Sequence, residues 1–255
     1  MSRKAAQGIR TLCGPPRVGA VPPASVAEVT DRLDVKVGGV RLTCHVRGAP
    51  DAPPLALLHA LGERGGTWDA VTAEFAGSFR VITIDLRGHG ESDWPGAYSF
   101  ELIRDDVLGV LDELRLPKIT LVGHSMGGTV AYLVAEEQPS RINRLILEDT
   151  PPPRPRNRAV PERPEGPLPF DWAVVPAIVR QLNDPDPAWW DRLTRISAPT
   201  LLIAGGQDSH IPQDQLKEVA VRVPSCTMLT ISTGHHVHAT RPTEFAAAAL
   251  AFLRP

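Results

Sequence analysis

Short, unbroken apolar runs recur along this chain at intervals that alternate with helical patterns. Leu55–Leu58, Val81–Ile84, Ile119–Val122, the run from Arg144 to Leu147, Thr200–Ala204 and Cys226–Ile231 each read as a strand. An apolar run that does not alternate with polar residues belongs to a strand covered on both faces, as in a parallel sheet. The first two strands differ. Leu33, Val35 and Val37, then Val40, Leu42, Cys44 and Val46, alternate with polar residues around Gly38-Gly39, which predicts a β-hairpin.

Between the runs the period lengthens to that of a helix. A helix is predicted from about Thr67, with Trp68, Val71 and Phe75 on one face. Another opens at Ser99, with Leu102, Val107, Val110, Leu111 and Leu114 inward, and stops before Pro117. Further helices are expected over 129–137, 213–221 and 242–253. Strands alternating with helices predict an α/β fold: a doubly wound, mostly parallel, eight-stranded sheet with the hairpin at one edge. Ligands and reacting groups of such sheets gather at the carboxyl ends of the strands. The polar clusters of this chain lie there.

Two regions break the alternation. Residues 1–28 are rich in Pro, Gly, Ala and Arg without periodicity and are read as a flexible leader. Of the 26 prolines, 11 fall between Pro151 and Pro187. Proline removes a backbone donor, so this stretch cannot continue the sheet. Residues 151–196 therefore form an insertion, with one short helix near 171–183 and another starting at Asp186-Pro187. The core is then 29–150 together with 197–255.

The chemistry starts at Gly123-His124-Ser125-Met126-Gly127, a turn between the strand at Ile119 and a helix. Glycines two before and two after the serine leave room for a strained backbone that pushes its hydroxyl above the sheet edge. The helix N-terminus beneath it offers free N–H groups. A serine hydroxyl is a weak nucleophile until a base takes its proton. A histidine suits that role, and a carboxylate must then fix the histidine's tautomer. The candidate acids are Asp208, which follows one late strand, and Glu148 and Asp149, which end an earlier one. The candidate bases are His235, His236 and His238. The preferred order is Ser125, Asp208, then the histidine cluster.

With these motifs in order, the sequence resembles the α/β-hydrolase superfamily. The resemblance rests on His59-Ala60-Leu61-Gly62, the stretch Asp85-Leu86-Arg87-Gly88-His89-Gly90-Glu91-Ser92, the serine turn, Gly205-Gly206-Gln207-Asp208 and Gly234-His235. It covers roughly residues 32–254. It implies Ser125 as nucleophile, Asp208 as the orienting acid and His235 as base, with the N–H groups of Leu61 and Met126 forming an oxyanion hole. Ala60 stands where the family pattern has glycine. The resemblance makes the insertion a cap, with Phe170, Trp172, Trp189 and Trp190 either lining a substrate pocket or packing the cap onto the body. The expected activity is hydrolysis of a carboxylic ester or thioester of a small apolar or acyl substrate through an acyl-enzyme. Carbon–carbon hydrolysis, lactone opening, acyl transfer and perhydrolysis run on the same triad, and a non-catalytic receptor can use the same scaffold. His59, Asp85, Arg87 and His89 are read as holding loops in place.

Composition narrows the partners. The net charge is −2, with 22% charged and 42% hydrophobic residues, so neither nucleic acid nor an anionic membrane surface is an expected partner. Three scattered cysteines form no CxxC pair, which fits a reducing, cytoplasmic setting. No cofactor is expected: the GxGxxG spacing is absent. No metal is expected either, since no carboxylate or cysteine stands near the histidines at ligand spacing in the sequence. A small-molecule substrate remains as the partner.

Overall fold

The structure is a computed structural model that describes residues 31–254; the leader predicted for 1–28 lies outside the described residues. The strands are β1 (Asp31–Val37), β2 (Val40–Arg47), β3 (Pro54–Leu58), β4 (Arg80–Ile84), β5 (Ile119–His124), β6 (Ile142–Glu148), β7 (Thr200–Ala204) and β8 (Cys226–Thr230). The helices are α1 (Asp69–Ala76), α2 (Phe100–Glu113), α3 (Met126–Glu137), α4 (Val174–Asn183), α5 (Ala188–Arg192), α6 (Gln213–Arg222), α7 (Val237–Thr240) and α8 (Pro242–Leu253). They build one eight-stranded sheet in the order β1-β2-β4-β3-β5-β6-β7-β8. The β1–β2 and β2–β4 pairings are antiparallel and every other pairing is parallel.

The unbroken apolar runs are explained by two cores, one on each side of the sheet. Leu55 and Leu57 of β3 join Trp68, Phe75 and Phe245 on the face covered by α1 and α8. Ala56 and Leu58 join Phe100, Val107, Leu111 and Val130 on the face covered by α2 and α3. Successive side chains of one strand point to opposite faces, so both must be apolar.

The inner face of α2 differs from the one expected: Phe100, Ile103 and Leu108 join it, Leu102 leaves it, and Leu114 lies just past the helix and is half-buried. Leu102 is 36% exposed, while Phe100, Ile103, Val107, Val110 and Leu111 are buried. The stripe runs at intervals of three and four residues from Phe100 and Ile103, and Leu102 falls beside it. Ser99 caps this helix by accepting the Leu102 N–H at 3.1 Å.

The insertion lies between β6 and β7 and contributes α4 and α5. Asp186 Oδ1 accepts the Ala188 N–H at 2.9 Å at the start of α5. Trp189 and Trp190 of α5 are buried. Among the described residues no helix is long and apolar enough to cross a membrane.

Candidate active site

Ser125 joins β5 to α3 with φ 52° and ψ −115°. A non-glycine residue in that region is strained by about 1–3 kcal/mol and persists only where its surroundings enforce it. The surroundings here are specific. A Cβ on Gly123 would stand 2.4 Å from the Gly127 carbonyl oxygen, and one on Gly127 would stand 2.4 Å from that of Leu58. The Gly127 N–H donates to the His59 carbonyl at 3.1 Å, and the Thr150 hydroxyl donates to the Ser125 carbonyl at 3.1 Å. The turn is thereby tied to the ends of β3 and β6.

Ser125 opens onto a cavity of about 500 Å³ that His235, His236, Leu61 and Met126 also line. Met126 begins α3, so its N–H has no partner within the helix. The loop that carries Leu61 is braced from behind by two histidines. His59 is fully buried; its Nδ1 donates to the Ala60 carbonyl at 2.8 Å and its Nε2 accepts the Leu86 N–H at 3.0 Å. Burial pushes its pKa down to about 3, so it stays neutral. His89 accepts the Gly62 N–H at 3.2 Å through Nε2 and donates to the Arg87 carbonyl at 3.0 Å through Nδ1. The left-handed residue of this loop is Gly62, with φ 83°, and Ala60 is not among the positive-φ positions. That is why an alanine is tolerated where the family pattern has glycine.

The neighbouring loop is fixed in the same manner. Asp85 accepts the N–H groups of Gly65 at 2.7 Å and Glu91 at 2.8 Å. Arg87 grips Asp106 through two buried hydrogen bonds of 2.5 and 2.6 Å. These residues hold loops and do not line the cavity.

Of the three clustered histidines, His235 and His236 line the cavity, and His235 is the one of these two that meets a fully buried acid, Asp149. His235 Nδ1 donates to Asp149 Oδ2 at 2.8 Å. Asp208 does not take the place expected of it. Its side chain is exposed, and among the described residues it makes no hydrogen bond or ion pair. The loop after β7 instead supplies donors to Asp149: the Gly205 N–H at 2.8 Å, Gln213 Nε2 at 3.2 Å and the Ser209 hydroxyl. Asp149 is fully buried, which by itself raises a carboxyl's pKa, yet the bonds from His235, Ser209, Gly205 and Gln213 hold it below its ordinary value. Asp149 also has φ 46°, a second strained backbone at the sheet edge. A Cβ on Gly205 would lie 2.1 Å from the Gly234 carbonyl oxygen and 3.2 Å from Asp149 Cγ, so glycine there lets the acid and the histidine loop close up.

The other two histidines do different work. His238 is buried, stacks on Trp68 at 4.0 Å between ring centres, and donates through Nδ1 to Glu148 at 2.8 Å. His236 is exposed and pairs with Glu63 at 3.3 Å. His124, beside Ser125 and fully buried, donates through Nε2 to the His235 carbonyl at 2.9 Å and so steadies the loop that carries His235. Glu63 Oε2 stands 3.8 Å from His124 Nδ1, an ion-pair distance too long for a hydrogen bond. Burial disfavours the charged His124, but the carboxylates of Glu148 and Glu63 raise its pKa.

The expectation that no carboxylate stands near the histidines fails in space, because Glu63 and Glu148 come from distant parts of the chain. Glu63, His124 and His238 each place one potential ligand atom within 4.8 Å of the others. They are the residues that could hold a cation.

Among the described residues no hydrogen bond closes between Ser125 Oγ and His235. Such bonds are commonly long before substrate arrives.

The four cap aromatics do not line the cavity. Trp189 meets Phe100 edge-on at 5.5 Å, and Trp190 is buried with Nε1 donating to the Pro153 carbonyl at 3.1 Å. Phe170 stacks on His89 at 5.6 Å and faces Trp172 at 6.2 Å. Phe170, Trp189 and Trp190 pack the insertion against the body, on His89, Phe100 and Arg222. The insertion contributes to the cavity Ile178 and Leu182 of α4 together with Pro151, Pro153, Arg154, Pro155, Arg156 and Arg158 of the proline-rich segment.

A family model described as the alpha/beta hydrolase fold matches residues 53–173. A putative esterase/lipase of Haemophilus influenzae is 24% identical over 77% of this chain and 82% of its own length. An uncharacterized protein of Mycobacterium tuberculosis is 39% identical over 44% of the chain, a match spanning 32% of that protein. The crystal structure of a hydrolase from Pseudomonas aeruginosa superposes with a TM-score of 0.77 at 26% identity, covering 90% of this chain and all of that one.

Proposed function

The chain belongs to the α/β-hydrolase superfamily, and from that premise we propose that it is a serine hydrolase of carboxylic esters or thioesters in which Ser125, His235 and Asp149 form the triad. The observation that carries the reading is the 2.8 Å bond from His235 to Asp149, made at the wall of the same cavity onto which Ser125 opens. The likeness to a putative esterase/lipase over most of the chain favours an ester as the bond broken.

In this mechanism His235 Nε2 takes the Ser125 hydroxyl proton as Oγ attacks the substrate carbonyl carbon. Asp149 keeps the other ring nitrogen protonated and stabilises the imidazolium. The carbonyl oxygen becomes an oxyanion held by the N–H groups of Leu61 and Met126, each worth about 3–4 kcal/mol in such a site. His235 then gives its proton to the departing alcohol or thiol. A water, deprotonated by the same histidine, releases the acid and restores Ser125. The acid's place after β6 alters none of these steps, because the triad is defined by geometry and not by chain position.

The experiment is turnover of p-nitrophenyl butyrate together with labelling by a fluorophosphonate. The wild-type protein is expected to turn over the ester and to be labelled on Ser125, and Ser125→Ala to do neither while melting as the parent does. Full turnover by Ser125→Ala would overturn the reading.

A further inference from the structure

The polar half of the cavity wall is cationic. Arg154, Arg156 and Arg158 line it, and Glu63 is the acid among its lining residues. Glu63 is already engaged by His236 and His124. Arg154 is also committed: it pairs with Glu218 at 2.5 Å and lies over the Trp190 ring at 4.4 Å. Arg156 and Arg158 are not. Among the described residues neither guanidinium meets a carboxylate.

The two arginines are nonetheless held in place through their backbones. The Arg156 N–H donates to the Asn183 carbonyl at 3.1 Å. The Arg158 N–H donates to Asn183 Oδ1 at 2.9 Å, and Asn183 Nδ2 donates to the Arg158 carbonyl at 2.8 Å. Asn183, the last residue of α4, thus clamps the strap beside the cavity that both arginines line. Burial and the neighbouring Arg158 charge lower the pKa of Arg156, which places the two cations within each other's field. The charge of Arg158 also reaches His210, whose ring lies 4.4 Å from that of His235. Two like charges that feel each other, with no carboxylate paired to either among the described residues, repel, and an anion between them relieves that repulsion. The planar fork of each guanidinium suits a carboxylate or phosphate.

We propose that Arg156 and Arg158 form an oxyanion-recognition site at the mouth of the Ser125 cavity, selecting substrates whose non-reacting end carries a carboxylate or phosphate. This rests on the serine-hydrolase reading above. The apolar lining from Phe100, Ile178 and Leu182 holds the intervening chain, and the arginines hold its charged end. Because both arginines are exposed residues, the gain is moderate and falls with salt.

Two matched substrate pairs test this and separate the two anion sources. The first is p-nitrophenyl butyrate against the p-nitrophenyl monoester of glutaric acid, which adds one carboxylate on the acyl side. The second is S-butyryl-phosphopantetheine against S-butyryl-pantetheine, which differ in the phosphate of the leaving group. Rates are corrected with Ser125→Ala. At low ionic strength the anionic member of one pair is expected to have a kcat/KM about tenfold higher than its neutral partner. In the doubly substituted Arg156→Gln, Arg158→Gln protein that ratio is expected to fall to about one, and 0.5 M salt to lower it in the wild type. The pair that shows the preference identifies carboxylate or phosphate as the group read. Ratios near one in both pairs, with the neutral esters turned over, would overturn this inference alone. So would a preference that survives loss of both arginines. No turnover of any substrate and no fluorophosphonate label would overturn the hydrolase reading and this inference with it.

Discussion

Two histidine–carboxylate pairs hang from consecutive residues at the end of one strand. Glu148 reaches His238 and Asp149 reaches His235, with the same 2.8 Å shortest distance. The pairs share their chemistry and differ in their neighbours. His238 is sealed beneath Trp68 and against Phe245, on the side of α1 and α8. His235 lines the cavity with Ser125. A hydrogen-bonded imidazole becomes a catalytic base only where its second nitrogen faces the nucleophile, and otherwise it is structure. The alternation of the strand and the left-handed turn at Asp149 send the two carboxylates to these two fates.

That contrast can be broken from either side. His235→Ala is expected to lower kcat on p-nitrophenyl butyrate by on the order of 10⁵ to 10⁶ while leaving the melting temperature nearly unchanged. The reverse is expected of the sealed pair. Glu148→Gln leaves a buried histidine facing a neutral amide, and denaturant unfolding should show a loss of about 3 kcal/mol. Its activity, measured below the new melting point, should fall far less than that of His235→Ala.

The pH dependence of stability sharpens the comparison with a third buried carboxyl. Burial raises the pKa of Glu148, but the charges of His124 and His238 and the His238 hydrogen bonds outweigh it and hold it below its ordinary value. A depressed carboxyl contributes stability that is present above its unfolded pKa and is lost as pH falls through its folded pKa. Glu136 of α3 behaves oppositely. It pairs with Arg192 at 3.3 Å, yet its side chain is 2% exposed and one of its oxygens has no hydrogen-bond partner among the described residues. Burial pushes its pKa up to about 8. Its stabilising share is complete below the unfolded value near 4.5 and is lost as pH rises through about 8. Thermal melts from pH 5 to 8 should therefore show stability falling by up to about 1.4 kcal/mol per pH unit from this group. Glu136→Gln should flatten that limb and leave the acid limb, set in part by Glu148, in place.

The smallest effect belongs to Asp208. Asp208 is exposed and makes no hydrogen bond or ion pair among the described residues, so its change to Asn should alter stability by less than about 0.5 kcal/mol and activity by no more than roughly twofold.

The legibility of the site follows from where each signal lives. The sheet, its edge hairpin and the serine turn are local patterns, because period and glycine placement are enforced by sterics within a few residues. The acid is not local. Asp149 and Asp208 both follow a strand and both lie between Ser125 and His235 in the chain, so order cannot separate them. The decision is made by the loop after β7, which turns Gly205, Ser209 and Gln213 toward Asp149 and leaves Asp208 in solvent. The readable hint is position: Asp149 directly follows β6, while Asp208 stands four residues beyond the end of β7. The cap aromatics misled for a related reason. Aromatic composition announces burial, and it does not say whether the ring covers a substrate or the protein's own body. The strap that carries the arginines beside the cavity is held by Asn183, a contact across 25 residues that no pattern announces.

The most direct test of the central claim is a side-by-side kcat/KM measurement of Asp149→Asn and Asp208→Asn on p-nitrophenyl butyrate, with folding checked by melting. The account predicts a loss of about 10⁴ for Asp149→Asn, the size seen when a triad acid can no longer hold the histidine tautomer, and near-parent activity for Asp208→Asn. A near-parent Asp149→Asn beside an inactive, folded Asp208→Asn would contradict it.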